Sequence, residues 1–225
     1  MRVGLMFIVG FIGTMTLCFA PAVQSHGYLS FPAAVYRDPY TATSFVTTIT
    51  ETINLNSFGG KKWNDTPELN AAMFASAFRN SSYSSLREML DPVVPGCGNT
   101  RDNVAPVNVT GASEARWQND EEHRGFVDSH HGPCEIWVNE RRALHNDDCR
   151  AAFTSYPAHL PVDYDALCDG ECRLTFYWLA LHEAAWQVYS KFRELSCLDF
   201  YSSDAVIFLQ RPVLLSSTST MLSTH

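Results

Sequence analysis

Positive charge is scarce in this chain of 225 residues, where 16 Lys and Arg stand against 24 Asp and Glu. Residues 1–25 carry Arg2 and no acid, so the remainder has 15 against 24, a net charge of −9 with His neutral. So acidic a chain makes nucleic acid a poor partner. After the amino terminus no apolar run is long enough to span a bilayer. The nearest, 205–215, is short and holds Arg211 and Pro212. G-x-S-x-G is absent, so no serine-hydrolase elbow is signalled. His182-Glu183 begins like a zinc-protease motif, but Trp186 stands four residues on, which excludes H-E-x-x-H. Cys168 and Cys172 lack a second Cys or His pair at ligand spacing, which argues against zinc. Internal repeats and low-complexity linkers are also missing.

What is present points outward from the cell. Arg2 is followed by an apolar run to Val23, and Val23 and Ser25 put small residues at −3 and −1 of a cleavage point. That is the pattern of a secretory signal peptide over residues 1–25. Of seven cysteines, Cys18 leaves with it. Cys97, Cys134, Cys149, Cys168, Cys172 and Cys197 remain, an even set that predicts up to three disulfides with connectivity open. Sequons at Asn64, Asn80 and Asn108 suit surface loops of a secreted glycoprotein.

The element pattern is mostly β. Residues 44–55 are rich in β-branched side chains and predict a strand. Thr66-Pro67-Glu68 opens a helix with a capping hydroxyl, a first-turn proline and an acid. Its expected apolar stripe is Leu69, Met73, Phe74, Ala77 and Phe78. A short helix is expected over 84–90, ending at Asp91-Pro92. Residues 93–119 read as long loops. Residues 130–139 read as turn then strand, with Cys134, Ile136 and Val138 on one face. Leu174, Phe176, Trp178 and Ala180 alternate with Thr175, Tyr177, Leu179 and Leu181, and a further strand is expected from Trp186 to Tyr189. The whole predicts an immunoglobulin- or fibronectin-like β-sandwich with long loops, short helical insertions and disulfides over 26–200. The tail 201–225 is expected to be poorly ordered.

Cleavage after Ser25 makes His26 the first residue of the mature chain. A terminal histidine offers its α-amino group and its ring Nδ1 to one metal ion as a chelate. The amine has a pKa of only about 7.7–8.0, so a metal displaces its proton at little cost near neutral pH. A second imidazole would complete three nitrogens in a T shape. An all-nitrogen planar set favours copper(II). Gly27 lets the backbone lie close to such a metal.

Two further segments supply partners: Ser129-His130-His131-Gly132-Pro133-Cys134 and Trp186-Gln187-Val188-Tyr189. With His26-Gly27 they resemble the lytic polysaccharide monooxygenases, whose families combine a mature N-terminal His-Gly, an S-H-x-G-P-C segment and a Q-x-Y segment. The run Phe176 to His182 followed by Trp186 to Tyr189 is most similar to the oomycete pectin-active group, auxiliary-activity family 17. The resemblance spans His26 to Tyr189. It departs from the family after Tyr189, where a cysteine usually follows within about four residues; here Cys197 comes eight later. The third disulfide is left open.

The resemblance implies one copper ion held by His26 and His130, with Tyr189 as a weak axial neighbour and Gln187 beside it. His182 is a candidate supporting residue, His131 a rival ligand, and His123, His145 and His159 ordinary surface residues. It implies a secreted monomer that takes electrons from an external donor. With O2 or H2O2 it oxidises a C–H bond beside a glycosidic linkage in homogalacturonan. The alternatives are the same chemistry on cellulose, hemicellulose or chitin, and a non-enzymatic copper- or glycan-binding protein of the same fold. A polyanionic substrate requires cations near copper; Arg37, Lys61, Lys62, Arg141 and Arg142 are candidates. Tyr28, Tyr36 and Trp63 are candidates for stacking on sugars.

Overall fold

The computed structural model describes residues 26–197. The expected signal peptide and tail, 1–25 and 201–225, lie outside the described residues, as do 198–200. Within them the strands are β1 (Tyr28–Phe31), β2 (Thr47–Ile49), β3 (Val107–Asn108), β4 (Glu114–Gln118), β5 (Cys134–Val138), β6 (Arg141–Asn146), β7 (Ala158–Pro161), β8 (Gly170–Ala180) and β9 (Trp186–Cys197). The helices are α1 (Leu55–Phe58), α2 (Pro67–Arg79), α3 (Leu86–Leu90), α4 (Cys149–Ala152) and α5 (Tyr164–Leu167).

The expected mostly β architecture with short helices is what the chain forms. A three-stranded antiparallel sheet, β1-β4-β7, faces a larger sheet ordered β2-β9-β8-β5-β6, with β3 added in parallel beside β9. Alternation along β8 explains the layering. Leu174, Phe176, Trp178 and Ala180 point into the space between the sheets, where they join Trp117, Phe126, Ile136 and Tyr189. Tyr177 and Leu179 point to the other face, packed with Phe58, Phe74, Met89 and Trp186 under α2 and α3. From Leu174 onward β8 is therefore buried on both faces.

Local chemistry accounts for most departures from expectation. In 44–55 only three residues form strand; Thr50 then caps a 3-10 turn and Asn54 caps α1, because short polar side chains take the free amides. α2 begins as expected, with Thr66 accepting from the Leu69 amide. Leu69 itself is 54 % exposed, and Asn70 takes the buried place, its amide donating to the Leu181, Asp65 and Trp63 carbonyls. The loop expected over 93–119 contains β4, the central strand of the small sheet.

Two disulfides form among the described residues, Cys134–Cys149 and Cys168–Cys172. Cys97 and Cys197 do not make the third. Cys97 lies against Asp102, while the Cys197 thiol sits against the Tyr164 carbonyl. The segment after Tyr189, where the sequence departs from the pattern it otherwise resembles, is regular strand, paired without a break to Gly170↔Cys197. Asn64, Asn80 and Asn108 are all exposed.

Candidate metal centre

One end of the sandwich gathers the residues singled out above. His26 sits just before β1. Gly27 presses on β4: a Cβ there would lie 2.2 Å from Trp117 Nε1 and 2.9 Å from the Gln118 carbonyl oxygen. Glycine is thus required by the approach of the chain to Trp117. The His130 loop is tied to the end of β8, the Leu179 amide donating to the Pro133 carbonyl and the Leu181 amide to that of His131. Gly132 has φ +150° and would place a Cβ 1.9 Å from the Leu179 oxygen, so only glycine fits. Across the strands Cys134 faces Trp178, which faces Tyr189, so the His130 loop and the Gln187–Tyr189 segment share one end of the sheet.

The His26 and His130 rings lie 4.9 Å apart between centroids, at 69°. Tyr189 is 5.5 Å from His26 and stacks on Trp178 at 4.6 Å. Its hydroxyl donates to Gln187 Oε1 at 2.7 Å. His182 stacks on His130 at 4.2 Å and 27°. Its Nε2 stands 3.5 Å from Glu183. Six residues, His26, His130, Trp178, His182, Gln187 and Tyr189, therefore meet.

His131 turns away. Its Nδ1 lies 2.6 Å from Asp148 and its Nε2 3.4 Å from Glu68, which engages both ring nitrogens with carboxylates. It serves to hold the loop. His145 and His159 pair with carboxylates on β5 and β4. His123 rests against Tyr156.

The His130 environment suits a neutral ligand. Burial, then the neighbouring His182 and His26, push its pKa down to about 3. Nδ1 lies 2.8 Å from Ser129 Oγ. In the tautomer with the proton on Nδ1, that proton goes to Ser129 and the Nε2 lone pair is available. Nε2 is buried with no hydrogen bond of good geometry. Burial also lowers the His182 pKa and raises that of Tyr189. No group of three or more His, Cys, Asp or Glu converges as a metal site among the described residues. The two histidines fit a metal when the third nitrogen is the His26 α-amino group, which exists once the bond to Ser25 is cut.

Several sequence candidates are relocated. Arg141 and Arg142 sit opposite Val138 and Trp137. Val138 is four residues down β5 from Cys134, about 13 Å at ~3.3 Å per residue. Arg142 reaches back along β5 to pair with the buried Glu135, next to Cys134. Arg37 neighbours Asp102 and Cys97. Lys61 and Lys62 line a groove with Ala184, beside the His182 turn. Trp63 is 4 % exposed and donates to Glu51 and the Phe58 carbonyl, so it is core. Tyr36 lies under the ammonium of the buried Lys191, at 5.1 Å, and is no stacking surface. Lys191 also donates to the Ser44 carbonyl, and burial lowers its pKa to about 7.

Three neighbours escaped the sequence reading. Phe45 meets His26 edge-on at 6.1 Å. Trp178 backs Tyr189, and Tyr40, 92 % exposed, lines the groove beside His26. Trp178 carried a signal, being adjacent in register to Tyr189. Phe45 and Tyr40 stand in loops and carried none. No family model matches the chain, and no curated protein matches it.

Proposed function

We propose that this protein is a secreted copper-dependent monooxygenase that oxidatively cleaves plant cell-wall polysaccharide, homogalacturonan first. The observation that carries this reading is the meeting of His26 and His130, which are 104 positions apart, beside Tyr189. The His26 amine and ring with His130 Nε2 offer three nitrogens to copper. Held by these nitrogens, copper would supply, with an external reductant and O2 or H2O2, oxidation of a C–H bond beside the glycosidic linkage. Tyr189 closes the space on the protein side of the histidines, with Trp178 packed behind it. Gln187 is oriented by the Tyr189 hydroxyl. His182 covers one face of the His130 ring and limits its rotation. Secretion is supported by the signal-like start and is compatible with the two disulfides.

Lys61 and Lys62 favour a polyanionic substrate. A second reading, the same chemistry on a neutral polysaccharide such as cellulose, hemicellulose or chitin, is favoured by Asp120 and Glu121 beside His26.

The test is intact mass and N-terminal sequencing of the secreted protein, then EPR with one equivalent of copper. A chain starting at His26, with a nitrogen-rich axial Cu(II) signal weakened by His130→Ala, is expected. A different first residue, or copper bound equally well by His130→Ala, overturns the reading. Ascorbate-driven release of oxidised fragments from homogalacturonan, compared with cellulose, separates the two substrates.

A further inference from the structure

One groove opens on His26 and a second takes in the turn that follows His182, and their charges are opposite. The first, about 360 Å³, is lined by His26, Tyr28, Tyr40, Asp120 and Glu121 among others. Tyr156, then Tyr28 and Gln118, hydrogen-bond Asp120 and hold its carboxyl below the usual range, so it stays ionised. The exposed Tyr40 ring offers a flat apolar face. The second groove, about 500 Å³, is lined by Glu51, Lys61, Lys62, Trp63 and Ala184 among others. Glu51 is occupied by the Trp63 indole N–H at 3.1 Å, and both lysines are exposed. The rings run His26, His130, His182 in successive contact. His26 belongs to the first groove, and Ala184, two residues past His182, belongs to the second. The first groove therefore opens on the His26 end of the row, and the second includes a residue of the turn that follows His182 at its other end.

We propose that the site recognises a change of charge along its polymer: carboxylate-bearing sugars beside Lys61 and Lys62, uncharged sugars beside Tyr40, Asp120 and Glu121. This rests on the polysaccharide reading above and narrows its substrate to a partly methyl-esterified polygalacturonan. A polymer charged throughout puts carboxylates against Asp120 and Glu121. A polymer esterified throughout gives the lysines nothing to attract. Each exposed charge is worth about two- to fivefold in affinity, less at high salt.

The experiment measures binding of the metal-free secreted protein to three polygalacturonans of equal length: de-esterified, partly esterified and fully esterified. The partly esterified polymer is expected to bind tightest. Lys61→Gln with Lys62→Gln should weaken it by about two- to fivefold per charge and leave the fully esterified polymer unchanged. Asp120→Asn, and separately Glu121→Gln, should strengthen binding of the de-esterified polymer. Two variants are used because Asp120 also holds Tyr28 and Tyr156; thermal melts show that each is folded. Affinity that climbs steadily with carboxylate content, or variants that shift all three polymers alike, overturns the proposal. Oxidised fragments scored with copper and ascorbate keep the two readings apart. The expected binding order without oxidised product defeats the monooxygenase reading alone, whereas oxidised product with the wrong order defeats this one alone.

Discussion

The Tyr189 hydroxyl donates to Gln187 Oε1 at 2.7 Å inside the protein, two residues apart on one face of β9. The bond commits the Gln187 oxygen and leaves its NH2 for other partners. Tyr189→Phe removes the donor and keeps the ring stacked on Trp178. A loss of about 1 kcal/mol in stability is expected by denaturant unfolding. The Cu(II) EPR parameters should change because Gln187 is released. An unchanged spectrum would show that this hydroxyl has no influence on the metal.

Gly132→Ala is expected to be among the most damaging single changes. The new Cβ would lie 1.9 Å from the Leu179 oxygen, a backbone atom that cannot swing away, at a φ of +150°. Since the same loop carries His130, both folding and copper binding should fail, with a loss exceeding about 3 kcal/mol. Soluble yield and a thermal melt decide this; a variant melting within a few degrees of the parent contradicts it.

The Cys134–Cys149 bridge ties the start of β5 to α4 across 15 residues. Replacing both by Ala should cost about 3 kcal/mol, the loop-closure value for that length. The Cys168–Cys172 bridge spans only 4 residues and should contribute less. Unfolding of the two double variants side by side gives the order.

His145 predicts a pH dependence. Its hydrogen bond to the buried Glu135, with a further one to Asp147, outweighs burial and raises its pKa. Burial alone would raise the Glu135 carboxyl; His145, Trp137 and two backbone amides override that and hold it down. A raised histidine pKa means that stability is fully present below the unfolded value of about 6.5 and is lost as pH rises through the folded value. His145→Gln should flatten this slope in stability against pH. An identical slope in the variant would assign the effect elsewhere.

Three parts of the site were legible because each depends on neighbours along the chain. The alternation in Leu174 to Ala180 encodes a strand buried on both faces. The segment Ser129 to Cys134 carries the S-H-x-G-P-C pattern, which singles out His130. Trp186 to Tyr189 shows its period directly. The strand β4 was not legible, since Glu114 to Gln118 holds two charges and its stability comes from β1 and β7 on either side. Trp63 stayed open between sugar platform and core, because nothing local says that Phe58, Phe74 and Trp186 enclose it.

The mostly β architecture, the N-terminal cap of α2, the end of α3 and the short roster of histidines and tyrosines worth considering are readable from the amino-acid order alone. Hydrophobic period, capping and glycine stereochemistry act over a few residues, so they can be read without the fold. Which of them meet depends on the folded arrangement of the strands. It stacked His182 on His130, turned His131 to Asp148 and Glu68, set Arg141 opposite Val138 and paired Arg142 with Glu135. It also left Cys97 and Cys197 outside the disulfides. Those outcomes depend on strand register and sheet order, set by the summed burial of two cores rather than by any one segment.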